Sequence, residues 1–476
     1  MKKNDALIAI GAIIFAILFY EQAFGINYLI FTLMYGLLNI LFNKEKLSGT
    51  WYFAFSLHFL CAFNIFHVNT FLSIFAWICS LFYVVGQTFE AKNSAIITSF
   101  FSIASPITSF GIMCTKLFTV NTETTKQPKI MYLGAILVSF ILVLIFFFLY
   151  KGANPLFDNF TDNIDFSWIN SYFIFFCFIG FYVLFILIYP YTNSNISIWD
   201  KNKLQELKIE DEDQNSVSKK FVGLIAILVF ISLNVMLLSL NILDIRSVFM
   251  LEKLPENVFL SDFLHIAVSN IIFSIVFAIL LIVGVQQFKI KNNFIKILIY
   301  AWIAQSVIMI INAFIRNYWY SFDQITYLRI GVFIFLGLCI FGLIYTAYSI
   351  FKKRNYWFLL NLNMQTWLFV LVFMSLFSWD RIITKHNLKF EKIEEIDLAY
   401  LSSLSENNVD LMLEFYHKHP QLFDNYEYYN TLLDELKWKK HSFVRKMQHQ
   451  TWQSFNLSDQ MKYKNLKTLK NNSKSH

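Results

Sequence analysis

Charged side chains beside long apolar segments are the residues of this sequence whose types and spacing suit chemistry best. An Arg or Asp at the centre of a membrane helix costs about 2.5–3.5 kcal/mol on insertion scales, so charges kept close to such segments carry information. Most of these charges fall at segment ends that are predicted to face the same side. This set, called the outer rim below, consists of Asp244, Arg246, Asp262, His265, Arg316, Asp323, Arg329, Asp380 and Arg381.

Two kinds of chemistry suit the outer rim. The guanidinium groups of Arg316 and Arg329 match phosphate and carboxylate, and therefore predict an anion-binding vestibule. Asp262 and His265 are three residues apart, on one helix face, and are able to supply acid/base or metal-binding groups. The alternative is structural, because the same charges are able to cap helix ends and to form ion pairs between helices. A single Asp-x-x-His spacing assigns neither a metal ligand nor a catalytic residue.

No familiar catalytic or nucleotide-binding motif accompanies the outer rim. The sequence contains no GxGxxG, Walker-type, HExxH or GxSxG pattern, so an ATP-driven pump or a soluble-type hydrolase is unsupported. The five cysteines occur singly, without CxxC or CxxH spacing, which indicates buried thiols and neither a zinc site nor a redox pair. We therefore predict no metal, no cofactor and no nucleic-acid partner.

Composition determines which elements position these residues. Hydrophobic residues make up 57% and charged residues 15% of the 476 residues, whereas a soluble globular protein carries about 25% charge. About 20 mainly apolar residues cross a bilayer, and lipid cannot hydrogen-bond an open backbone. The sequence therefore predicts an all-α, polytopic transmembrane helical bundle. Its apolar segments are 6–20, 26–42, 51–68, 71–88, 94–113, 130–150, 168–189, 221–243, 264–286, 297–315, 327–351 and 356–378.

The number of spans depends on the segment 94–113, whose serines, threonines and Pro106 interrupt its apolar pattern. Short loops rich in Lys and Arg stay in the cytoplasm. If 94–113 does not span, this rule places the N-terminus and nearly all short-loop Lys and Arg inside. If it spans, every later loop changes side and the asymmetry is lost. We therefore predict about eleven spans, with 94–113 re-entrant or interfacial, and twelve spans as the alternative.

Polar residues inside one apolar segment offer a second, weaker candidate. His58, Asn64 and His67 recur at helical spacing within the segment 51–68 and are able to line a cavity. Such groups more often hydrogen-bond a neighbouring helix, and that is the interpretation we favour.

Two polar regions interrupt or follow the bundle, which we place at residues 1–387. Residues 191–220 carry an acidic run followed by two lysines and are predicted to form a solvated cytoplasmic loop. Residues 388–476 carry residue types that typically begin and end helices, with Asp397 as a predicted N-cap. They are predicted to form a small extramembrane helical appendage that frays after about residue 465.

Short blocks distributed over the chain resemble a bacterial multipass membrane family, catalogued as domain of unknown function 4173. The similarity covers most of the chain and is most specific from about 262 to 405. It implies a multipass membrane architecture and implicates the outer rim, without implying an activity. The blocks are Gly25-Ile26-Asn27 with Leu29-Ile30-Phe31, Asn154-Pro155-Leu156-Phe157, Asp262-Phe263-Leu264-His265, Ile315-Arg316, Thr326-Tyr327-Leu328-Arg329, Asp380-Arg381-Ile382-Ile383 with Asn387, Asp397-Leu398-Ala399-Tyr400-Leu401 with Leu404-Ser405, and residues 452–458.

Three functions stay open at the level of the sequence, and whether the protein is an enzyme stays open with them. The lack of catalytic motifs favours a non-catalytic sensor, scaffold or accessory component. The number of spans favours a transporter or flippase-like protein. The outer rim favours a membrane enzyme acting on an anionic lipid-linked substrate at the outer face.

The expected location is the bacterial cytoplasmic membrane, with a cytoplasmic N-terminus and an extracytoplasmic C-terminal tail. The expected partners are the lipid bilayer and, at the outer face, an anionic ligand or a partner protein.

Overall fold

The computed structural model describes residues 3–45, 47–88, 93–118, 171–189, 192–204, 217–249, 273–285, 292–321, 324–390, 392–424 and 427–472, with the single residues 139, 143, 146, 147, 150, 153 and 157. Three residues of the outer rim, Asp262, His265 and Asp323, lie outside the described residues. Most of the apolar segment 130–150 lies outside them as well.

Helices dominate the described residues, and no β-strand occurs among them, in agreement with the all-α prediction. Two 3-10 helices, Ile393–Glu395 and Glu406–Asn408, lie between the later α-helices. The α-helices are α1 (Lys3–Phe19), α2 (Ile26–Asn43), α3 (Gly49–His67), α4 (Phe71–Gly86), α5 (Ala95–Phe118), α6 (Ser171–Ile188), α7 (Ser194–Leu204), α8 (Val217–Phe249), α9 (Phe273–Val285), α10 (Asn293–Ser321), α11 (Tyr327–Phe351), α12 (Tyr356–Met374), α13 (Trp379–Asn387), α14 (Leu398–Ser403), α15 (Val409–Lys418), α16 (Gln421–Asp424), α17 (Glu427–Gln448) and α18 (Leu457–Asn472).

Five of these helices, α2, α8, α10, α11 and α12, are long and apolar enough to cross a membrane. Shorter apolar helices occur within α1, α4, α5 and α6, and α9 is another. This composition is consistent with a membrane-embedded protein. The total of about eleven spans stays a prediction.

Side-chain caps fix where several helices begin, because the first backbone N–H groups of a helix have no partner within it. Ser48 accepts a hydrogen bond from the backbone of Trp51 at the start of α3. Thr70 and Ser73 form a reciprocal capping box at the start of α4. Thr326 caps α11 by accepting from the backbone of Arg329, which fixes the start of the helix that carries this arginine.

Three hydrophobic clusters organise the fold. The first joins α1–α4 with α6 and α12 around fully buried aromatic residues such as Tyr35 and Trp51. The second joins α8–α11 around Phe230 and Trp302. The third lies within the C-terminal tail and includes Phe443. Helix α12 packs against both α4 and α11, so it connects the first two clusters.

Hydrogen bonds between helices identify one end of the bundle. Asn43 at the end of α2 donates to the carbonyl of Ile188 at the end of α6 (3.2 Å). Thr50 at the start of α3 donates to Gln87, just after α4 (3.3 Å). We call this the basic end, because Lys44 and the segment 352–354 before α12 lie there. The opposite end, where α1 and α3 finish and where α4 begins, is called the tail end.

Helix α5 contacts the basic end near both ends of its first fifteen residues. The backbone N–H of Ala95 donates to Asn361 near the start of α12 (2.7 Å), and the hydroxyl of Ser109 donates to the carbonyl of Tyr189 just after α6 (3.5 Å). These contacts are about 21 Å apart along the helix, at about 1.5 Å per residue, yet both are made to helix termini of the basic end. The helix is continuous through Pro106, and whether 94–113 spans the membrane stays a prediction.

The beginning of the 191–220 region is a packed helix, α7, which differs from the solvated loop predicted there. Its Asp200 is fully buried and accepts hydrogen bonds from the backbone and hydroxyl of Ser94 (2.6 and 2.7 Å) and from the indole of Trp357 (2.5 Å). A carboxylate is favourable at this place because Ser94 precedes the N-terminus of α5, where the helix dipole is positive. The acidic run at 205–216 lies outside the described residues.

The described tail residues fold together with α13, the last helix before residue 388, into a helical unit with its own apolar core, built from α13 to α18. Asp397 caps α14 by accepting from the backbone of Tyr400 (2.9 Å), which confirms the predicted N-cap. Helix α18 continues to Asn472, so the fraying expected after about residue 465 is wrong.

The tail docks directly on the tail end of the bundle. The backbone N–H of Ile26 donates to the carbonyl of Phe455 (3.0 Å). Gly25 makes this approach possible, since a Cβ at this position would lie 2.4 Å from the carbonyl carbon of Ser454. A glycine without a side chain therefore lets two backbone segments meet, and the tail forms a cap over the helices.

Candidate functional site

The outer-rim residues Asp244 and Arg316 form an ion pair between α8 and α10. Nη2 of Arg316 lies 2.8 Å from Oδ1 of Asp244, and the two side chains are 17% and 19% exposed. Arg246, two residues further along α8, is exposed. The structural interpretation of these charges, as ion pairs between helices, therefore describes Asp244 and Arg316 well.

Arg381 belongs to the framework of the tail. Its guanidinium donates to both carboxylate oxygens of Asp410 (2.7 and 3.0 Å) and to the carbonyl of Asn407 (3.0 Å). The side chain of Asp410 is 2% exposed and also accepts from Asn465 (3.0 Å). This two-pronged pair ties α13 to α15 and holds Asn407 in place.

Arg329 lies in the first turn of α11, where it donates to the carbonyl of Gln324. Its own backbone carbonyl accepts from Asn317 at the end of α10 (3.0 Å). These contacts join the end of α10 to the start of α11. Neither Arg329 nor Arg316 lines the cavity described next.

Among the outer-rim residues that the structure describes, Asp380 lines a cavity. It is 6% exposed, and its two carboxylate oxygens accept from the hydroxyls of Tyr327 (2.7 Å) and Ser405. Each carboxylate oxygen of Asp380 thus has one neutral hydroxyl as its hydrogen-bond partner. No salt bridge joins Asp380 to a basic side chain of the described residues.

The tail-end cavity, of about 680 Å³, lies between α11, α12, the start of α4 and the tail. Its walls are of two kinds. The part between the bundle helices is apolar, with residues such as Ile334, Trp367 and Met374. The part below the tail is polar, with Asp380, Ser405, Glu406, Asn407, Lys446 and Asp459. A cavity of this size with a few polar groups at one end is typical of a small-molecule site.

The apolar part continues as a stripe along one face of α11. The stripe recurs every three or four residues, as one side of a helix does. Its first four members line the tail-end cavity, and the last two line a second cavity of about 640 Å³ nearer the basic end. Val370 of α12 lines both cavities. The members of the stripe are Tyr327, Gly331, Ile334, Leu338, Phe341 and Tyr345.

Charges other than Asp380 at the polar part are paired with one another. Lys446 lies 3.1 Å from Glu406 and 3.9 Å from Asp459, and Lys462 lies 3.2 Å from Asp459. Lys462 has a fully buried side chain, which also donates to Asn407 (3.1 Å) and lies over the ring of Phe443. Burial lowers the pKa of the Lys462 ammonium, and the attraction of Asp459 opposes that shift.

Several cavity residues are not among the candidates from the sequence. Ser405, Glu406, Asn407, Lys446 and Asp459 come from the tail, whose docking no local pattern reveals. Gly331 offers a signal, since a small residue within the α11 stripe leaves room on an otherwise bulky helix face. The described part of the chain holds no group of three His, Cys, Asp or Glu side chains able to hold a metal ion.

Comparison with known proteins gives one family. The model for the domain of unknown function DUF4153 matches residues 6–415, which is most of the chain. The resemblance to domain of unknown function 4173 is therefore wrong, since the matched family is a different one. Short blocks of a few residues do not distinguish between multipass families with similar apolar segments. Searches of the curated proteins and of the solved structures find no match.

Proposed function

The chain belongs to the family of the domain of unknown function DUF4153, and from its own geometry we propose that it is a non-catalytic membrane component that binds a lipid-like amphiphile in the tail-end cavity. The observation that carries this proposal is the two-part wall of the cavity. Apolar side chains between α11 and α12 suit a hydrocarbon chain, and the charged side chains below the tail suit a polar head.

The cavity is accessible from the side of the bundle. Phe71 is 83% exposed and Trp367 is 37% exposed, and both line the apolar part. In a membrane this surface faces lipid, so a hydrocarbon chain enters sideways without crossing water. The head then lies at the level of the interface, where water and charged groups are present.

The positive-inside rule supports a side for this cavity. Lys44 and the basic segment 352–354 lie at the basic end, so that end is assigned to the cytoplasm. The tail end and its cavity then face the outer leaflet of the cytoplasmic membrane. Ser403 is exposed in the tail, and a cysteine introduced there is expected to react with an impermeant thiol reagent in intact cells.

Two glycines of α11 provide a matched test of the cavity. A Cβ at Gly331 or at Gly337 would meet nothing within 4 Å, but only Gly331 lines the cavity. Gly331→Phe is expected to fill the apolar part, and Gly337→Phe adds the same side chain on another face of the same helix. The measurement is native mass spectrometry of protein purified in mild detergent, counting retained lipid molecules.

The expected result is one retained lipid in the wild type and in Gly337→Phe, and loss of that lipid in Gly331→Phe. Equal retention in all three proteins would place the lipid elsewhere and overturn the proposal. Recovery of the added lipid unchanged after incubation supports the non-catalytic role. Chemical conversion of its head group would instead favour the third hypothesis, a membrane enzyme.

A second candidate function is transfer of lipid along the bundle, as in the flippase-like hypothesis. The observation in its favour is the second cavity, which shares Val370 with the first and extends towards the basic end. Gln365 is an exposed polar residue of that cavity, about halfway along α12. Polar groups in lipid are costly unless they serve a polar partner. Movement of labelled lipid between the leaflets of reconstituted vesicles would measure this function.

A further inference from the structure

We infer that Asp380 recognises a primary ammonium group on the head of the amphiphile, which makes the ligand class an amine-bearing lipid. This inference rests on the proposed function, because it names the head group of the lipid bound in the tail-end cavity. It also differs from the anionic ligand expected from Arg316 and Arg329, which lie outside the cavity wall.

Asp380 is buried without a counter-charge from the described residues. Its side chain lies at the cavity and its residue is 6% exposed. The hydroxyls of Tyr327 and Ser405 satisfy part of its hydrogen-bonding capacity and bring no positive charge. A buried carboxylate without an opposite charge is unfavourable, so the site gains stability when a cation enters.

Two positively charged side chains near Asp380 are paired with other acidic groups. Arg381 is adjacent in sequence, but its guanidinium is held by Asp410 and by the carbonyl of Asn407. Lys446 is held between Glu406 and Asp459. Lys446 and Lys462 thus pair with Glu406 and Asp459, the other acidic groups of the cavity wall, and the charge of Asp380 is left for a ligand.

The Asp380 carboxylate has hydrogen-bonding capacity that its two hydroxyl partners do not use. An ionised carboxylate offers about four lone-pair sites, of which the two hydroxyls use two. A primary ammonium has N–H donors for the rest, and such charge-assisted hydrogen bonds are about twice as strong as neutral ones. A trimethylammonium group has the positive charge but no N–H donor. A glycerol head has no positive charge. Ethanolamine-type heads are therefore expected to bind best.

The position of Asp380 also determines where the head of the lipid lies relative to its hydrocarbon chain. Tyr327 donates to Asp380 and is also the first member of the α11 stripe that forms the apolar wall. The carboxylate thus lies where the apolar part meets the polar part. A lipid with its chain against α11 brings its head to Asp380, and a water-soluble amine would leave the apolar part unfilled.

The experiment measures competition among three phospholipids with identical acyl chains. Phosphatidylethanolamine, phosphatidylcholine and phosphatidylglycerol are mixed in equal amounts with the full-length protein, and the retained lipid is identified by native mass spectrometry. The wild type is expected to retain phosphatidylethanolamine about tenfold more than either competitor, as one charge-assisted hydrogen-bonded pair allows. N-acetylated phosphatidylethanolamine, which lacks the ammonium, is expected to lose this preference.

Variants of Asp380 test the residue itself. Asp380→Asn removes the charge and is expected to abolish the preference while keeping the number of bound lipids, because the apolar wall is intact. Asp380→Glu keeps the charge and is expected to keep the preference. The control Asp434→Asn makes the same charge change at a side chain that is 76% exposed on α17 and is expected to behave as the wild type.

The outcomes separate this inference from the proposed function. Lipid bound without an ethanolamine preference, or a preference that survives in Asp380→Asn, overturns the inference and leaves the proposed function standing. No retained lipid in the wild type overturns both. If Asp380→Asn fails to fold, the N-acetylated lipid decides, since it removes the positive charge of the head group and leaves the protein unchanged.

Discussion

His58 and Asp380 are both ionisable side chains buried among apolar helices, yet their surroundings differ. His58 is fully buried in the first hydrophobic cluster, and Asp380 is 6% exposed at the tail-end cavity. Each makes hydrogen bonds to two hydroxyl groups of neighbouring helices or loops. Burial and the number of partners therefore do not separate the two sites.

Both ring nitrogens of His58 have hydrogen-bond partners. With the hydroxyl of Ser80 donating to the carbonyl of Trp77 (2.9 Å), Nδ1 of His58 donates to Ser80 (2.9 Å). In that tautomer Nε2 of His58 accepts from the hydroxyl of Thr32 (3.5 Å), which itself accepts from the Trp77 indole (3.0 Å). A neutral imidazole thus uses one donor and one acceptor, which is its whole capacity.

The hydrogen-bonding capacity of the Asp380 carboxylate is only partly used. Its partners Tyr327 and Ser405 are neutral, its charge is not balanced, and the cavity lies beside it. A buried polar group therefore indicates binding when it combines unbalanced charge with free volume. A buried group whose donors and acceptors are all used indicates helix packing instead.

The largest effect is expected at the neighbour of Asp380, and it tests whether the tail framework is separate from the ligand site. Arg381→Ala removes both hydrogen bonds to the buried Asp410 and leaves that carboxylate without its cation. Breaking a buried pair costs about 3–5 kcal/mol, and we expect the lower part of this range because Asn465 still donates to Asp410. Thermal unfolding and limited proteolysis of the tail measure the loss.

A matched control for Arg381→Ala is Lys392→Ala. Lys392 pairs with Glu395, and both side chains are more than half exposed, at 68% and 58%. Such a pair contributes about 0–1 kcal/mol, so this variant is expected to unfold close to the wild type. If Arg381→Ala were as stable as Lys392→Ala, the tail would not depend on its buried ion pair.

An intermediate effect is expected in the core, and it sharpens the comparison directly. His58→Leu leaves the Thr32 hydroxyl without its acceptor and removes the donor to Ser80, at a cost of about 1–3 kcal/mol. Thermal stability is expected to fall, while the lipid preference stays that of the wild type. The control is His67→Leu, the same substitution at an exposed position of α3. Normal stability with a lost lipid preference in His58→Leu would make the core a functional site and end the distinction.

The sequence predicts the parts of the fold that depend on local composition. Long apolar segments give the helices, because backbone groups in lipid must bond within their own segment. Asp397 is recognisable as an N-cap since its signal lies within four residues of it. The interpretation of His58 and Asn64 as partners of neighbouring helices is also confirmed by the structure, with Asn64 donating to Ser375 (2.8 Å).

The candidate site is predicted only in part, because its partners are distant in sequence. Asp380 is found from its position after the last apolar segment. Its hydroxyl partners, Tyr327 and Ser405, are 53 and 25 residues away, and the docking of the tail at Gly25 depends on segments more than 400 residues apart. A single sequence carries no signal for these contacts, so the cavity appears only once the helices are packed.

The smallest effect is expected at Arg316, and it decides between the anionic site expected from the sequence and the amine site inferred from the structure. Nη2 of Arg316 donates to Oδ1 of Asp244 (2.8 Å), and the two side chains are 17% and 19% exposed. Arg316→Ala removes this charge-assisted hydrogen bond and is expected to cost about 1.5 kcal/mol. A double-mutant cycle with Asp244→Ala isolates the coupling. Because Arg316 does not line the cavity, lipid retention and head-group preference are expected to stay unchanged. Loss of lipid in Arg316→Ala together with a normal preference in Asp380→Asn would move the site from the carboxylate to the guanidinium, and the ligand from an amine to an anion.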